Sequence, residues 1–347
     1  MNFVSDNCSA VHPSVMEALV KANTGFMPSY GDDALTREAE DQIRELFEAP
    51  NARVAFVATG TAANALCCAM LCPPWGRVFC HKHAHIETSE AGAPEFYTGG
   101  AKLALIGQDD GRITPDDLAE GLITYGRDNV HAGQNAMLSL TNATEWGTIY
   151  APDQVAALAA IAHEAGLAVH MDGARFANAV AALGCSPADL TWRAGVDALS
   201  FGGTKNGCMA AEAVILFNGE RVDELDFRRM RGGHLWSKHR YLAAQMAAWT
   251  RGGLWLELAG HANRMAALLG RGLAGVPGVT VNQPVQSNSV FATLPQAVYQ
   301  AGMARDAGFR MWPATQDERA AQVSVRLVAS WATTEQDVQN LLAIIGG

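Results

Sequence analysis

Short apolar runs, mostly unbroken by polar residues, recur along the first two-thirds of the chain at 54–58, 78–80, 103–106, 136–140, 168–171, 198–201 and 213–217. Strands covered on both faces read this way, because neither face returns a polar residue at every second position. The segments between them carry helix signals. Stretch 61–71 follows the first strand directly. Thr114-Pro115-Asp116-Asp117 opens 115–125 with a capping hydroxyl, an early proline and first-turn acids. Pro152-Asp153 opens 152–165, which stops before Gly166. This alternation predicts an α/β fold with a mostly parallel sheet sandwiched by helices. From about Leu242 the pattern changes: a long helical stretch covers 254–273, short strands are predicted at 279–281, 290–293 and 323–328, and a helix at 334–344 follows. The expected organisation is a large domain over 1–245 and a smaller α+β domain over 246–347. Internal repeats and low-complexity segments are absent from the sequence.

With 347 residues, 49% of them hydrophobic, the chain can bury two cores. Its 25 Lys and Arg against 35 Asp and Glu leave a net charge of −10 with no basic run, which argues against nucleic-acid and anionic-membrane binding. Single basic residues in a pocket can still hold a small anion. No apolar run reaches bilayer length. The opening residues Met1-Asn2-Phe3-Val4-Ser5-Asp6-Asn7 lack a basic start and an apolar core, so the cytoplasm is the expected compartment. None of the seven cysteines forms a C-x-x-C pair; Cys67, Cys68 and Cys72, on an apolar helical stretch, read as small core residues, and a disulfide framework is not expected.

The chemistry concentrates at the ends of two predicted strands. One ends in Asp172-Gly173-Ala174-Arg175; the other leads into Gly202-Gly203-Thr204-Lys205. An acid at the carboxyl end of a buried strand faces the crevice where α/β folds bind ligands. A desolvated lysine has a free amine for Schiff-base chemistry, and an ionised carboxylate keeps a pyridine nitrogen protonated. Together, Lys205 and Asp172 predict pyridoxal 5′-phosphate, whose protonated ring is an electron sink. Thr59-Gly60-Thr61 sits between a strand and a helix, where free N–H groups and the Thr61 hydroxyl can hold a phosphate. It is neither a Walker loop nor a G-x-G-x-x-G fingerprint, which argues against a nicotinamide dehydrogenase. The Thr204 hydroxyl is placed to touch the same phosphate. Cys80-His81-Lys82-His83-Ala84-His85 puts alternate histidines on one face of a strand, but no ligand set closes a zinc site, so no metal is expected. One of these histidines is expected on the cofactor ring instead. Arg326, inside Val323-Ser324-Val325-Arg326-Leu327-Val328, needs a partner: a core ion pair, or a substrate carboxylate for its planar fork.

In this order, Ser5-Asp6-Asn7, Tyr30-Gly31-Asp32-Asp33, Gly60-Thr61, His85 with Glu90-Ala91-Gly92, His170-Met171-Asp172-Gly173-Ala174-Arg175-Phe176 and Gly203-Thr204-Lys205 resemble the low-specificity L-threonine aldolases among the fold-type I pyridoxal enzymes. The likeness spans nearly the whole chain. It implies that Lys205 carries the cofactor, that Asp172 pairs the ring nitrogen, and that His85 stacks on the ring. Gly60, Thr61 and Thr204 would hold the phosphate, and Ser5, Arg175 and Arg326 the substrate carboxylate, with Arg175 also among the cofactor contacts. Tyr30 would reach into a neighbouring subunit's site and Arg228 would touch the phosphate across the interface, in a homo-oligomer, dimer or tetramer. The implied reaction is retro-aldol cleavage of L-threonine, L-allo-threonine and related β-hydroxy-α-amino acids, phenylserine included, to glycine and an aldehyde. β-Elimination and transamination are the alternatives on the same scaffold. One departure stands out. Where family members carry Glu-Asn-Thr-His, this chain has Thr141-Asn142-Ala143-Thr144-Glu145, without the histidine that approaches the substrate hydroxyl. Thr144 or Glu145 would take over that contact, directly or through a water. The base stays open, with His85 and a water it orients as the candidates.

Overall fold

The computed structural model describes residues 1–126, 129–217, 222–305 and 307–346. Seven strands form the main sheet: β1 (Arg53–Val57), β2 (Gly76–His81), β3 (Lys102–Ile106), β4 (Gln134–Thr141), β5 (Ala168–Gly173), β6 (Ala198–Gly202) and β7 (Glu212–Leu216). Their order is β1-β7-β6-β5-β4-β2-β3. Each of the seven apolar runs becomes one of these strands. β7 alone opposes its neighbours, pairing antiparallel with β1 and β6, while β6, β5, β4, β2 and β3 pair in parallel. The reason lies in chain length: β6 reaches β7 through a short turn, whereas parallel neighbours need a crossover long enough for a helix.

The helices are α1 (Pro13–Ala22), α2 (Ala34–Leu46), α3 (Gly60–Leu71), α4 (His85–Thr88), α5 (Ala93–Thr98), α6 (Pro115–Tyr125), α7 (Pro152–Glu164), α8 (Phe176–Leu183), α9 (Val222–Arg231), α10 (Arg240–Thr250), α11 (Leu254–Ala274), α12 (Gln296–Ala304) and α13 (Glu335–Gly346). The predicted start of α6 is a full capping box: Thr114 Oγ accepts from the Asp117 N–H at 3.2 Å, and the Asp117 carboxylate accepts from the Thr114 N–H at 2.8 Å. α3 begins one residue earlier than its pattern suggests, because Thr59 is the cap and accepts from the Ala62 N–H at 3.2 Å.

One core packs helices against the main sheet around Phe47, Phe56, Phe176, Phe201, Trp249 and Trp255, all fully buried. A second forms under a four-stranded antiparallel sheet of β8 (Thr280–Val281), β9 (Ser289–Pro295), β10 (Arg310–Met311) and β11 (Gln322–Val328), in the order β10-β11-β9-β8. α11 serves both: Trp255, Leu258 and Ala259 enter the first, Met265, Leu269 and Leu273 the second. The amino terminus joins the second core through Phe3, whose N–H donates to Gly308 O at 2.6 Å and whose carbonyl accepts from Val328 N at 2.8 Å. That anchoring brings Asp6 to Arg175, just beyond β5.

A buried histidine fixes the strand heights beneath the site. His170 Nδ1 lies 3.0 Å from Ser139 Oγ on β4, and its Nε2 lies 3.0 Å from Ser200 Oγ on β6. Burial, opposed by the charge of Asp172, pushes the imidazole down to about 4, so it is neutral at ordinary pH and can donate to one hydroxyl while accepting from the other.

Candidate active site

Asp172 ends β5, buried, with both carboxylate oxygens occupied. Oδ1 accepts from the Ala174 N–H at 2.9 Å and Oδ2 from Asn64 Nδ2 at 2.8 Å. Burial alone would raise its pKa; the charge of His85, the Ala174 amide and the charge of Lys205 outweigh it and hold the carboxyl below the usual range. Asn64, inside α3, donates its other amide hydrogen to Glu90 Oε1 at 2.8 Å, and Glu90 Oε1 also meets His85 Nδ1 at 2.7 Å. The Glu90 hydrogen bond, against the cost of burial, shifts His85 toward its charged form. Ligand atoms of His85, Glu90 and Asp172 lie within 4.8 Å of one another. A cation cage is the wrong reading of that cluster, because the Asn64 amide already supplies donor hydrogens to both acids. His81 and His83 lie apart from it: His81 Nε2 meets Gln108 O at 2.7 Å, and the two rings sit 5.4 Å apart.

Lys205 sits on a single turn, Thr204–Asn206, between β6 and β7. Two glycines let that turn close on its surroundings. A Cβ on Gly202 would fall 2.8 Å from the Ala174 Cα, and one on Gly203 would fall 2.8 Å from the Ala211 carbonyl oxygen. Asp6 and Asp172 both lie within electrostatic reach of the Lys205 ammonium. Thr204 Oγ accepts from the Ala211 N–H at 3.2 Å and hydrogen-bonds the Glu212 carboxyl, which burial carries up to about 7. At the amino end of α3 the backbone is open: a Cβ on Gly60 would meet nothing within 4 Å. Together with the half-buried Thr61, this is a helix terminus with room for a phosphate.

Two guanidinium groups converge on the other side. Arg175 grips Asp6 with two parallel bonds, Nε to Oδ2 at 2.8 Å and Nη2 to Oδ1 at 2.9 Å, and Asn288 Nδ2 adds 3.0 Å to Oδ2. Arg326 on β11 lies close enough to Arg175 for their charges to repel, and its guanidinium stacks 4.5 Å over the Trp312 ring. Its buried Nε has no hydrogen-bond partner among the described residues. Burial first, and the Arg175 charge second, lower its pKa to about 10. Ser5 caps the turn that holds Asp6, accepting from Asn7 N at 3.2 Å.

Residues 2–296 match the model of the beta-eliminating lyases. The chain belongs to that family. It is 43% identical over 339 residues, 98% of this chain and 95% of the relative, to the low-specificity L-threonine aldolase of Pseudomonas aeruginosa. It is 41% identical, over 99% of this chain and 96% of the relative, to that of a Pseudomonas species. Its backbone superposes on a threonine aldolase structure from Leishmania major with a TM-score of 0.90, 28% identity and 99% and 98% of the two chains covered. Lyases of this family depend on pyridoxal 5′-phosphate. The residues present fit that group: an open helix terminus for a phosphate, a lysine, and a buried acid held ionised. Among the described residues no helix is long and apolar enough to cross a membrane.

In the lyase chain, Lys205, Asp172 and His85 form one cluster, linked to Asp6, Ser5 and Arg175, with Arg326 beside them. The described hydrogen bonds of Tyr30 and Arg228 are to residues outside that cluster. Tyr30, at φ 59° and 47% exposed, donates its N–H to Ser237 O, and Arg228 leans on Tyr97 O and Glu224 beside the exposed Phe96 and Phe227. Three residues of the cluster had no role on sequence grounds: Asp6, Asn64 and Glu90. Asp6 and Glu90 stand inside motifs read for other residues, Asn64 lies inside an otherwise apolar helix, and none gave a sign of pointing inward. Glu145 Oε1 accepts from the His85 N–H at 2.7 Å and from Thr141 Oγ at 3.0 Å, while Oε2 is buried without a hydrogen-bond partner among the described residues.

Proposed function

We infer that this lyase cleaves L-threonine and related β-hydroxy-α-amino acids to glycine and an aldehyde, using pyridoxal 5′-phosphate. The observation that carries the reading is the buried Asp172, held ionised by Asn64, Ala174 and His85 within reach of the Lys205 charge. When bound, the cofactor supplies an electron sink for the pair left on Cα when a bond to that carbon breaks. Lys205 is the amine that holds it, Asp172 keeps its ring nitrogen protonated, and His85, braced by Glu90, covers the ring. Gly60, Thr61 and Thr204 take the phosphate.

Arg326 and Arg175, with Ser5, take the substrate carboxylate. Asp6 already occupies two donors of Arg175, so its guanidinium is fixed before substrate arrives, while Arg326 brings a charge not yet matched. Fixing the carboxylate sets the rotation about the Cα–N bond and so selects which bond to Cα breaks. In this proposal the selected bond is Cα–Cβ. The chain acts as a cytoplasmic homo-oligomer in which Tyr30 and Arg228 serve a neighbouring subunit's site; their described hydrogen bonds, to Ser237 and to Tyr97 and Glu224, involve no residue of the Lys205 cluster, which supports that assignment.

The test is product analysis. Purified protein supplied with the cofactor and L-threonine, L-allo-threonine or L-phenylserine is expected to give glycine and aldehyde in equal amounts, lost in Lys205→Ala. A 2-oxo acid and ammonia without glycine would replace the reading with β-elimination.

A further inference from the structure

We propose that Glu145 is the catalytic base of this lyase, with its Oε2 accepting the β-hydroxyl proton of the substrate. The inference rests on the retro-aldol reading above and goes beyond it by assigning the proton. Three groups near the site qualify by chemistry: His85, Thr144 and Glu145. His85 spends Nδ1 on Glu90 and is shifted toward the charged form, which leaves it a poor acceptor. Thr144 is buried and used up locally: its Oγ lies 2.7 Å from Thr148 Oγ and accepts from the N–H groups of Trp146 and Thr148 at 3.3 and 3.2 Å. Glu145 differs from both. Oε1 is anchored on the His85 amide and Thr141 Oγ, so the carboxyl is fixed in place, and Oε2 is buried with no hydrogen-bond partner among the described residues. Leaving such an oxygen unpaired costs stability, and a partner that arrives with substrate relieves that cost.

The electrostatics agree with the geometry. Burial, then the charge of Asp172, raises the Glu145 carboxyl to about 7, while the His85 amide and Thr141 hydroxyl pull the other way. Arg175 also faces it, as do the buried Tyr150 hydroxyl and Cys80 thiol. Asp172 is held low and Glu145 high within one pocket, which is how two acids of one site take different roles. In the step itself, the O–H proton passes to Glu145 Oε2 and the oxygen–hydrogen pair becomes the new C=O bond of the aldehyde. The Cα–Cβ pair stays on Cα until a proton is returned there, so one proton leaves the substrate, one enters glycine, and nothing is oxidised.

Glu145→Gln keeps an acceptor for the His85 amide and removes the base. Four readouts are expected. Threonine cleavage falls by ~100-fold or more, and the rise of kcat/KM on the acid side disappears. Exchange of the glycine α-hydrogen in D2O, which involves no hydroxyl, stays within about threefold of the parent. In the cofactor-free protein, Tm of the variant exceeds that of the parent by a margin that widens from pH 5 to pH 8, because a carboxyl raised by folding loses stability as pH climbs. Cleavage within about threefold of the parent overturns the proposal, and so does a parallel loss of cleavage and exchange, which would place Glu145 at Cα or behind His85. If Glu145→Gln does not fold, Glu145→Asp is read in the same way for cleavage and exchange. A parent that exchanges glycine but does not cleave threonine would instead sink the retro-aldol reading itself.

Discussion

Arg326→Met separates what this residue costs the fold from what it does for substrate. The guanidinium is largely buried, Nε lacks a partner, and no carboxylate among the described residues forms an ion pair with it. Its pKa falls to about 10; a displacement of that size from the ordinary arginine value is worth roughly 3 kcal/mol against the folded state. Residual solvent contact screens part of this, leaving ~1–2 kcal/mol. The Trp312 stacking lost with the charge is worth ~0.5–1 kcal/mol, and a methionine sulfur on the same ring returns much of it. Cofactor-free Arg326→Met is therefore expected to melt ~1–3 °C higher than the parent. The same change removes a charge-assisted fork for the substrate carboxylate, worth ~2–3 kcal/mol, so kcat/KM for L-threonine should fall by ~30- to 150-fold. Differential scanning calorimetry and steady-state kinetics on one preparation measure both. A lower Tm with unchanged kcat/KM would refute the argument and make Arg326 a structural cation.

Three further outcomes follow from other parts of the site. Asp6→Asn breaks the two parallel bonds to Arg175 and leaves that charge buried; urea unfolding should show ~3–5 kcal/mol lost and KM should rise more than kcat falls, and an unshifted midpoint would remove Asp6 as the brace. Gly60→Ala adds a Cβ that meets nothing in the protein itself, so Tm should hold or rise slightly while affinity for pyridoxal 5′-phosphate, read by absorbance titration, drops ~10-fold or more; equal affinity would move the phosphate elsewhere. His170 and His239, each lowered to about 4 chiefly by burial, stay neutral in the fold while the unfolded chain takes up protons below about pH 6.5. Stability should therefore fall on acidification from about pH 6.5 to 4, by up to ~3 kcal/mol per histidine, and His239→Gln should flatten that slope in pH-dependent urea titrations.

Apolar run length and helix-start chemistry carried most of the fold. Each of the seven runs is a main-sheet strand, and Thr114-Pro115-Asp116-Asp117 is the cap it reads as. The direction of β7 was not legible, because a run buried on both faces looks the same parallel or antiparallel. β10, only two residues long, was too short to leave a pattern. Chemistry at strand ends was legible for Asp172 and Lys205, since an acid and a lysine there are expensive without a purpose. Their supports were not. Asn64 lies among the alanines and cysteines of α3 and reads as a helix-surface amide until the fold turns it toward Asp172 and Glu90. Asp6 pairs with Arg175 across 169 residues, a separation for which no local pattern exists.

The charges of the pocket also explain why an amino acid, and not a simple amine, is the substrate that fits. Asp6 already neutralises Arg175, and the acids around His85 share one imidazole and the amide of Asn64. On the far side Arg326 has no ion pair among the described residues; Asp6 attracts it from a distance, but burial and the charges of Arg175 and Arg310 outweigh that. A ligand that brings a carboxylate to that spot relieves both the burial cost and the repulsion, whereas the same ligand without its carboxylate relieves neither. Ethanolamine-type analogues, which keep the amine and hydroxyl of serine-like substrates but lack the carboxylate, should therefore bind at least ~30-fold more weakly to the parent than the corresponding amino acid, and in Arg326→Met the gap should shrink to what Arg175 and Ser5 still supply. The difference between the two gaps is the coupling of the Arg326 charge to the carboxylate, separated from the contacts both ligands share.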